Sequence, residues 1–204
     1  MSAMVEAAFH LGTQFPVGSW QPGDSIEVRC LDTSQTPALT GPRRFFSNHA
    51  EVLSFALAMC DRWDVFIGVG WRRCPKTGDM RRCRCKVKGG NDHVSRLTAA
   101  YVDLDVGKAG ATVEEITDRL MAERVPPAII VASGRGVHGY WLVAEPTADL
   151  ERVRRINQGL RDRFCGDNAV DPARILRLAG TLHHKQTPAK PVRLIRAVGE
   201  AVAA

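Results

Sequence analysis

Residues 97–105 read Leu-Thr-Ala-Ala-Tyr-Val-Asp-Leu-Asp, an apolar run that ends on two acids. Its aromatic and β-branched residues predict a buried strand. Side chains at i and i+2 share a strand face ~6.5–7 Å apart, so Asp103 and Asp105 point the same way from its end. Two carboxylates there repel each other unless a cation or water intervenes, and a divalent metal held by carboxylates, phosphates and water suits them. A third acid would allow a two-metal site for in-line phosphoryl chemistry. A strand end carrying two solvated surface acids would read the same way.

Outward from this strand the pattern is mixed. Ser25–Leu31 alternates like a strand, and Asp64–Gly70 (DVFIGVG) reads as a buried one. Ser47 or Asn48 can cap a helix running to about Arg62. Thr112 with Glu115 forms the capping signature of a helix to about Arg124. Pro127–Ala132 and Val137–Val143 predict two strands joined by Ser-Gly-Arg-Gly. A helix follows Pro146, with Leu150, Val153, Ile156, Leu160 and Phe164 as its apolar stripe. Pro191–Ile195 predicts a last short strand. Strands joined by hairpins, without a regular βαβ ladder, make this an α+β chain. Its 204 residues suit one domain.

Two further constellations lie downstream. Ser133-Gly-Arg-Gly-Val-His138-Gly-Tyr140 contains G-x-G-x-x-G, but a strand follows it where a dinucleotide site needs a helix. The remaining reading is a glycine-rich turn whose amides, with Ser133, Arg135 and His138, can meet an anion; a tight hairpin with a satisfied histidine is the alternative. Asp171-Pro-Ala-Arg174-Ile-Leu-Arg177-Leu-Ala-Gly-Thr-Leu-His183-His184-Lys185 offers a third carboxylate in Asp171, with Asp167 as its competitor. Arg174, Arg177 and Lys185 are candidate phosphate contacts.

In this order the three motifs, from Tyr101 to Lys185, resemble the archaeo-eukaryotic primase superfamily, and among its members the primase-polymerase domains of phage and plasmid replication proteins. Arg43–Phe46 and the strand at residues 65–72 are similar to the lead-in segments of those domains. The resemblance implies a two-lobed fold with an RRM-like catalytic half, a mostly antiparallel or mixed sheet, and the site in the cleft. Residues 1–96 would form the first lobe, with a basic Cys-rich loop at 71–93, and 97–204 the catalytic half. The resemblance implies Mg²⁺ or Mn²⁺ held by Asp103, Asp105 and Asp171. It implies (d)NTP binding by Ser133, Arg135, His138, Arg177 and Lys185, and DNA priming or polymerisation on a single-stranded DNA template and primer. Ala179 and His183 depart from the Pro and Asn common there, which clouds nucleotide or template preference. Such domains are often joined to a helicase or a small helical accessory domain; no P-loop occurs in this chain.

Charge and cysteines add a second theme. Residues 71–88 hold eight basic residues against Asp79 alone, a net +7, whereas the whole chain carries +6. The other residues therefore sum to −1, and the basicity is one patch. A cluster of this density favours a polyanion partner, with Arg72, Arg73, Arg81, Arg82, Arg84 and Lys86 as candidate DNA contacts; a solvated loop is the alternative. Cys74, Cys83, Cys85 and His93 offer three thiolates and an imidazole that suit a structural Zn²⁺; loose surface cysteines in a DNA-binding loop are the alternative. Cys30, Cys60 and Cys165 lie in apolar surroundings and are expected in the core. With no apolar run of membrane-spanning length and no basic leader, a cytoplasmic protein with no membrane partner is expected.

Two other functions use some of these features. A metal-dependent nuclease needs clustered acids and a basic patch but has no triphosphate for the Ser133–His138 turn to hold. A zinc-stabilised, non-catalytic single-strand-binding module needs only the cysteine segment. A rolling-circle relaxase is disfavoured, because Tyr101 and Tyr140 sit inside strands and adjacent His183 and His184 cannot face one metal from a strand.

Overall fold

The computed structural model describes residues 1–198. In chain order the elements are α1 (Ala3–Gln14), β1 (Ile26–Asp32), β2 (Leu39–Phe46), α2 (His49–Met59), β3 (Asp64–Gly68), β4 (Gly70–Arg72), β5 (Val94–Asp105) and α3 (Val106–Ala109). Then come α4 (Val113–Met121), β6 (Ile129–Ala132), β7 (Gly136–Thr147), α5 (Leu150–Phe164), β8 (Ile175–Arg177), β9 (Leu182–His183), β10 (Lys190–Pro191) and β11 (Arg193–Ala197).

Two antiparallel sheets carry the fold, a four-stranded one in the order β2-β1-β3-β8 and a five-stranded one in the order β11-β6-β7-β5-β4. The expected α+β architecture is present. In the larger sheet β7 lies between β5 and β6 and is antiparallel to both, so β5, α4 and β6 form a split β-α-β unit of ferredoxin or RRM type. Two strands cross a division at residue 96. Residues 64–70, read as one strand, change sheets at Val69, so β4 joins the larger sheet, and β8 returns to the smaller one.

The smaller sheet buries Val28, Cys30, Val65 and Ile67 against Leu11 of α1, Phe15 at its C-terminal end, and Val52 and Ala56 of α2. Asn48 caps α2 by accepting the Glu51 N–H at 2.8 Å. On the larger sheet Ile116 and Leu120 of α4 cover Val102, Leu104, Ile130 and Val137. Thr112 and Glu115 form the expected reciprocal capping box. Cys30 is buried as expected, but Cys60 is half-buried and Cys165 is exposed. Cys165 adopts a left-handed conformation (φ 56°) as the C-cap of α5, which turns it out of the core.

Helix α1 has no clear sequence signature because its buried side carries Glu6, His10 and Gln14. These polar groups meet distant backbone: Glu6 accepts the Leu194 N–H at 2.8 Å, and His10 Nδ1 accepts that of Ala179 at 3.2 Å. Burial pushes His10 down to about 4, so it is neutral at pH 7. A histidine whose folded pKa lies below its unfolded value contributes stability at neutral pH that is lost as pH falls from about 6.5 through about 4. The loss attributable to His10 should reach up to about 3 kcal/mol. Urea titrations at pH 7 and pH 4.5 check this, and His10→Gln, which keeps an acceptor without the charge change, should flatten the pH dependence by about one proton.

Candidate active site

The end of β5 carries Asp103 and Asp105 to a cavity of about 140 Å³ between the two sheets. Register sets much of it: Asp103 stands opposite His138, and Asp105 opposite Gly136. Beyond Leu97, β4 no longer covers the outer edge of β5. Asn157 of α5 there accepts the Tyr101 N–H at 2.9 Å, and the Asp103 carbonyl accepts the Asp167 N–H at 2.8 Å. The second contact docks the chain just after α5 on the strand edge. It brings the Asp167 carboxyl into the cavity with Asp103 and Asp105.

Burial first, then the neighbouring Asp167 charge, push Asp103 up to about 6 against the pull of Arg177 and Arg174. Burial and the neighbouring carboxylates thus outweigh the two arginines at this carboxyl. The donor set of hard oxygens fits Mg²⁺ or Mn²⁺.

Three cations line the same cavity: Arg135 from the turn before β7, Arg177 from β8 of the smaller sheet, and Lys185 beyond β9. Arg177 is held from behind. Its Nε lies 3.1 Å from the fully buried carboxylate of Asp64, and its guanidinium stacks 4.8 Å from the Phe66 ring centroid. Asp64 also accepts the Thr33 hydroxyl and the His184 N–H.

The glycine-rich turn is a tight connection, closed by the Ser133 N–H donating to the Gly136 carbonyl at 2.8 Å. Gly134 has φ 92°, and a Cβ there would come within 2.7 Å of His183 Nδ1. At Gly136 a Cβ would meet the Leu104 carbonyl at 2.1 Å, so glycine is what lets β7 run against β5. Ser133 lines the cavity, as does His183.

Two expected site residues are placed elsewhere. His138 is 2% exposed and stands behind Asp103, with Nε2 3.5 Å from Oδ1. Burial and nearby Arg177 hold its pKa well below the ordinary value, so it is a neutral ring. Asp171 lies away from the other acids, in a separate hollow with Arg29, Asn91 and Arg174. Its carboxylate is largely exposed, and its backbone carbonyl accepts the Tyr101 hydroxyl. The sequence offers Asp167 only as a competitor of Asp171, marks His183 only as a departure from the motif after the Gly-Thr turn, and gives no sign of Asp64.

The long connection from β4 to β5 folds on its cysteines. The ligand atoms of Cys74, Cys83, Cys85 and His93 all lie within 4.8 Å of one another. Cys74 Sγ is 3.9 Å from Cys85 Sγ, and Cys83 Sγ is 3.4 Å from His93 Nε2. The basic residues around them divide. Arg72 is fully buried and cannot touch DNA: its Nε lies 2.9 Å from Glu27, and its Nη2 donates to the Ala173 carbonyl at 3.0 Å. Arg73 is drawn onto Asp24 at 2.8 Å. Arg81, Arg82, Arg84 and Lys86 are exposed.

No protein-family model and no curated protein matches this sequence. Solved structures do match its fold. The AEP domain of the cyanophage S-2L primase-polymerase aligns with a TM-score of 0.62 at 15% identity, covering 98% of this chain and 92% of that one. The chain has an archaeo-eukaryotic primase-like fold. Primase RepB′ aligns with a TM-score of 0.62 at 18% identity, over 99% of this chain and 59% of that one. The RepB′ catalytic domain in complex with initiator DNA gives a TM-score of 0.62 at 17% identity, over 100% and 89%. The primase-like fold therefore spans both sheets. No helix among the described residues is long and apolar enough to cross a membrane.

Proposed function

We propose that this chain is a DNA primase-polymerase, a nucleotidyltransferase that joins (d)NTPs to a growing strand on a single-stranded DNA template. The carrying observation is one cavity lined both by Asp103, Asp105 and Asp167 and by Arg135, Arg177 and Lys185. Acids that hold cations and cations that hold phosphates are the two halves such a reaction needs. Divalent Mg²⁺ or Mn²⁺ bound by the three carboxylates would supply Lewis acidity toward the attacking hydroxyl and neutralise charge on the leaving pyrophosphate.

The chain's own residues do the placing. Arg177, braced by Asp64 and Phe66, presents a fixed guanidinium to the triphosphate, while Lys185 and Arg135 add mobile charge at the rim. Neutral His138 steadies the Asp103 carboxylate from behind instead of reaching the nucleotide. Asp171 serves the fold through its backbone carbonyl. A nuclease would use the acids but would leave the braced Arg177 and its neighbouring cations without a triphosphate to hold.

A structural Zn²⁺ fits the second cluster. Tetrahedral zinc with Zn–S bonds of ~2.3 Å sets its sulfurs ~3.8 Å apart, close to the 3.9 Å between Cys74 and Cys85. The test of function is incorporation of labelled dNTPs and NTPs on single-stranded DNA with Mg²⁺ or Mn²⁺. Products without primer identify a primase, and extension of a primer alone identifies a polymerase. No incorporation with either metal refutes the proposal.

A further inference from the structure

A groove of about 510 Å³ lies far from the carboxylates in sequence, between β2 and the cysteine loop. Arg43, Arg44 and Phe45 of β2 form one wall, and Met80, Arg81, Lys86 and Lys88 of the loop form the other. No acid among the described residues lines it. Arg43 is partly committed, with Nε 2.7 Å from Glu27 and its guanidinium 5.4 Å from the Phe45 ring. Arg44, Lys86 and Lys88 are exposed, and Arg81 contacts only Asp79 of its own turn, at 3.3 Å.

No strand pairing joins the two walls. They meet where Phe45 packs on a small cluster of Cys74, Met80 and Cys83. Two of those three are metal-type ligands, so the loop wall is held in place by the Cys₃His knot itself. Without a metal, three thiols and an imidazole give the loop little to fold around.

We propose that this groove binds the backbone of single-stranded DNA, and that metal binding at Cys74, Cys83, Cys85 and His93 is what forms it. The proposal deepens the reading above, on which the choice of a single strand rests. Arg44 on one wall and Lys86 and Lys88 on the other, with no ion pair among the described residues, fit a phosphate chain, and the half-buried Phe45 offers an apolar floor. Metal occupancy and strand affinity are then linked: anything that empties the knot should loosen the strand.

The test is anisotropy of a labelled oligo(dT) strand over a salt series with the full zinc-loaded chain. The combined variant Arg44→Gln, Lys86→Gln, Lys88→Gln leaves the knot intact, so its zinc content and thermal unfolding should match the wild type. Each phosphate contact contributes a slope of about −0.7 in log K against log salt for single strands. Losing three should flatten the slope by about 2 and weaken binding about a hundredfold near about 0.1 M salt. Stripping zinc from the wild type should weaken binding comparably and affect the triple variant much less. Unchanged affinity and slope in the triple variant, equally tight binding by the zinc-free chain, or preference for duplex would each overturn the proposal. A wild-type chain that binds the strand in this groove but incorporates no nucleotide with either metal would sink the catalytic reading alone.

Discussion

Asp167→Asn should reduce nucleotide incorporation by about 10²–10³-fold or more, whereas Asp171→Asn should leave it within about a factor of two. The two acids are four residues apart in sequence and both looked able to complete the carboxylate set. Asp167 reaches it because its N–H bonds to the Asp103 carbonyl on the open edge of β5. Asparagine preserves that backbone contact and the side-chain shape, so the loss would report the missing charge and not a displaced loop. Asp171 keeps its structural contact through its backbone carbonyl, which the substitution does not touch. Steady-state incorporation on a primed template, with thermal unfolding as a control, decides between them. Equal losses in the two variants would place the third carboxylate wrongly.

The second large effect concerns stability. Glu27 is fully buried among Arg72, Arg29 and Arg43, at 2.9, 2.6 and 2.7 Å. Burial opposes its ionisation, but the three guanidiniums, Arg72 foremost, hold its pKa below the ordinary carboxylate value. Glu27→Ala would strand the buried Arg72 without its counter-charge, which costs about 3–5 kcal/mol. For a chain of this length the melting temperature should fall by roughly 10 °C. Arg72 also donates to the carbonyls of Pro172, Ala173 and Arg174, so the segment leading into β8 and Arg177 should loosen with it. Replacing both partners, Glu27→Leu with Arg72→Met, should recover part of the loss, because the fully buried Arg72 charge goes with its partner while Arg29 and Arg43 keep access to water. Calorimetry of the three proteins checks the ordering, and a Glu27→Ala protein as stable as wild type would show the network to be dispensable.

What could be read from the sequence follows from how local each signal is. The capping box at Thr112, the cap at Asn48 and the apolar strand ending in Asp103-Leu-Asp105 are fixed by neighbours within four residues, and the structure has them where the pattern places them. Strand β2 escaped notice because Leu39–Phe46 contains Gly41, Pro42 and two arginines; it lies at a sheet edge, where such residues are tolerated. Helix α1 hides behind a buried polar stripe whose partners lie 55 to 188 residues away.

The same logic divides the candidate site. Asp103 and Asp105 end β5, and the glycine turn leads into β7, its antiparallel neighbour, so their proximity is a matter of register. The choice of Asp167 over Asp171 depends on which loop docks on the free edge of β5, a tertiary event with no local pattern. Arg72 misled for a related reason: it sits within a run of eight cations, yet β4 carries it inward to Glu27. Composition located the basic patch but not which of its members face solvent.

The most direct measurement is extension of a primer on a single-stranded DNA template whose next base is varied, with Mn²⁺ or Mg²⁺, for the wild type and Asp103→Asn. The expected result is addition of the complementary nucleotide by the wild type and none by the variant. No addition under either metal, or addition that survives Asp103→Asn, would contradict a nucleotidyl-transfer site built on this strand end.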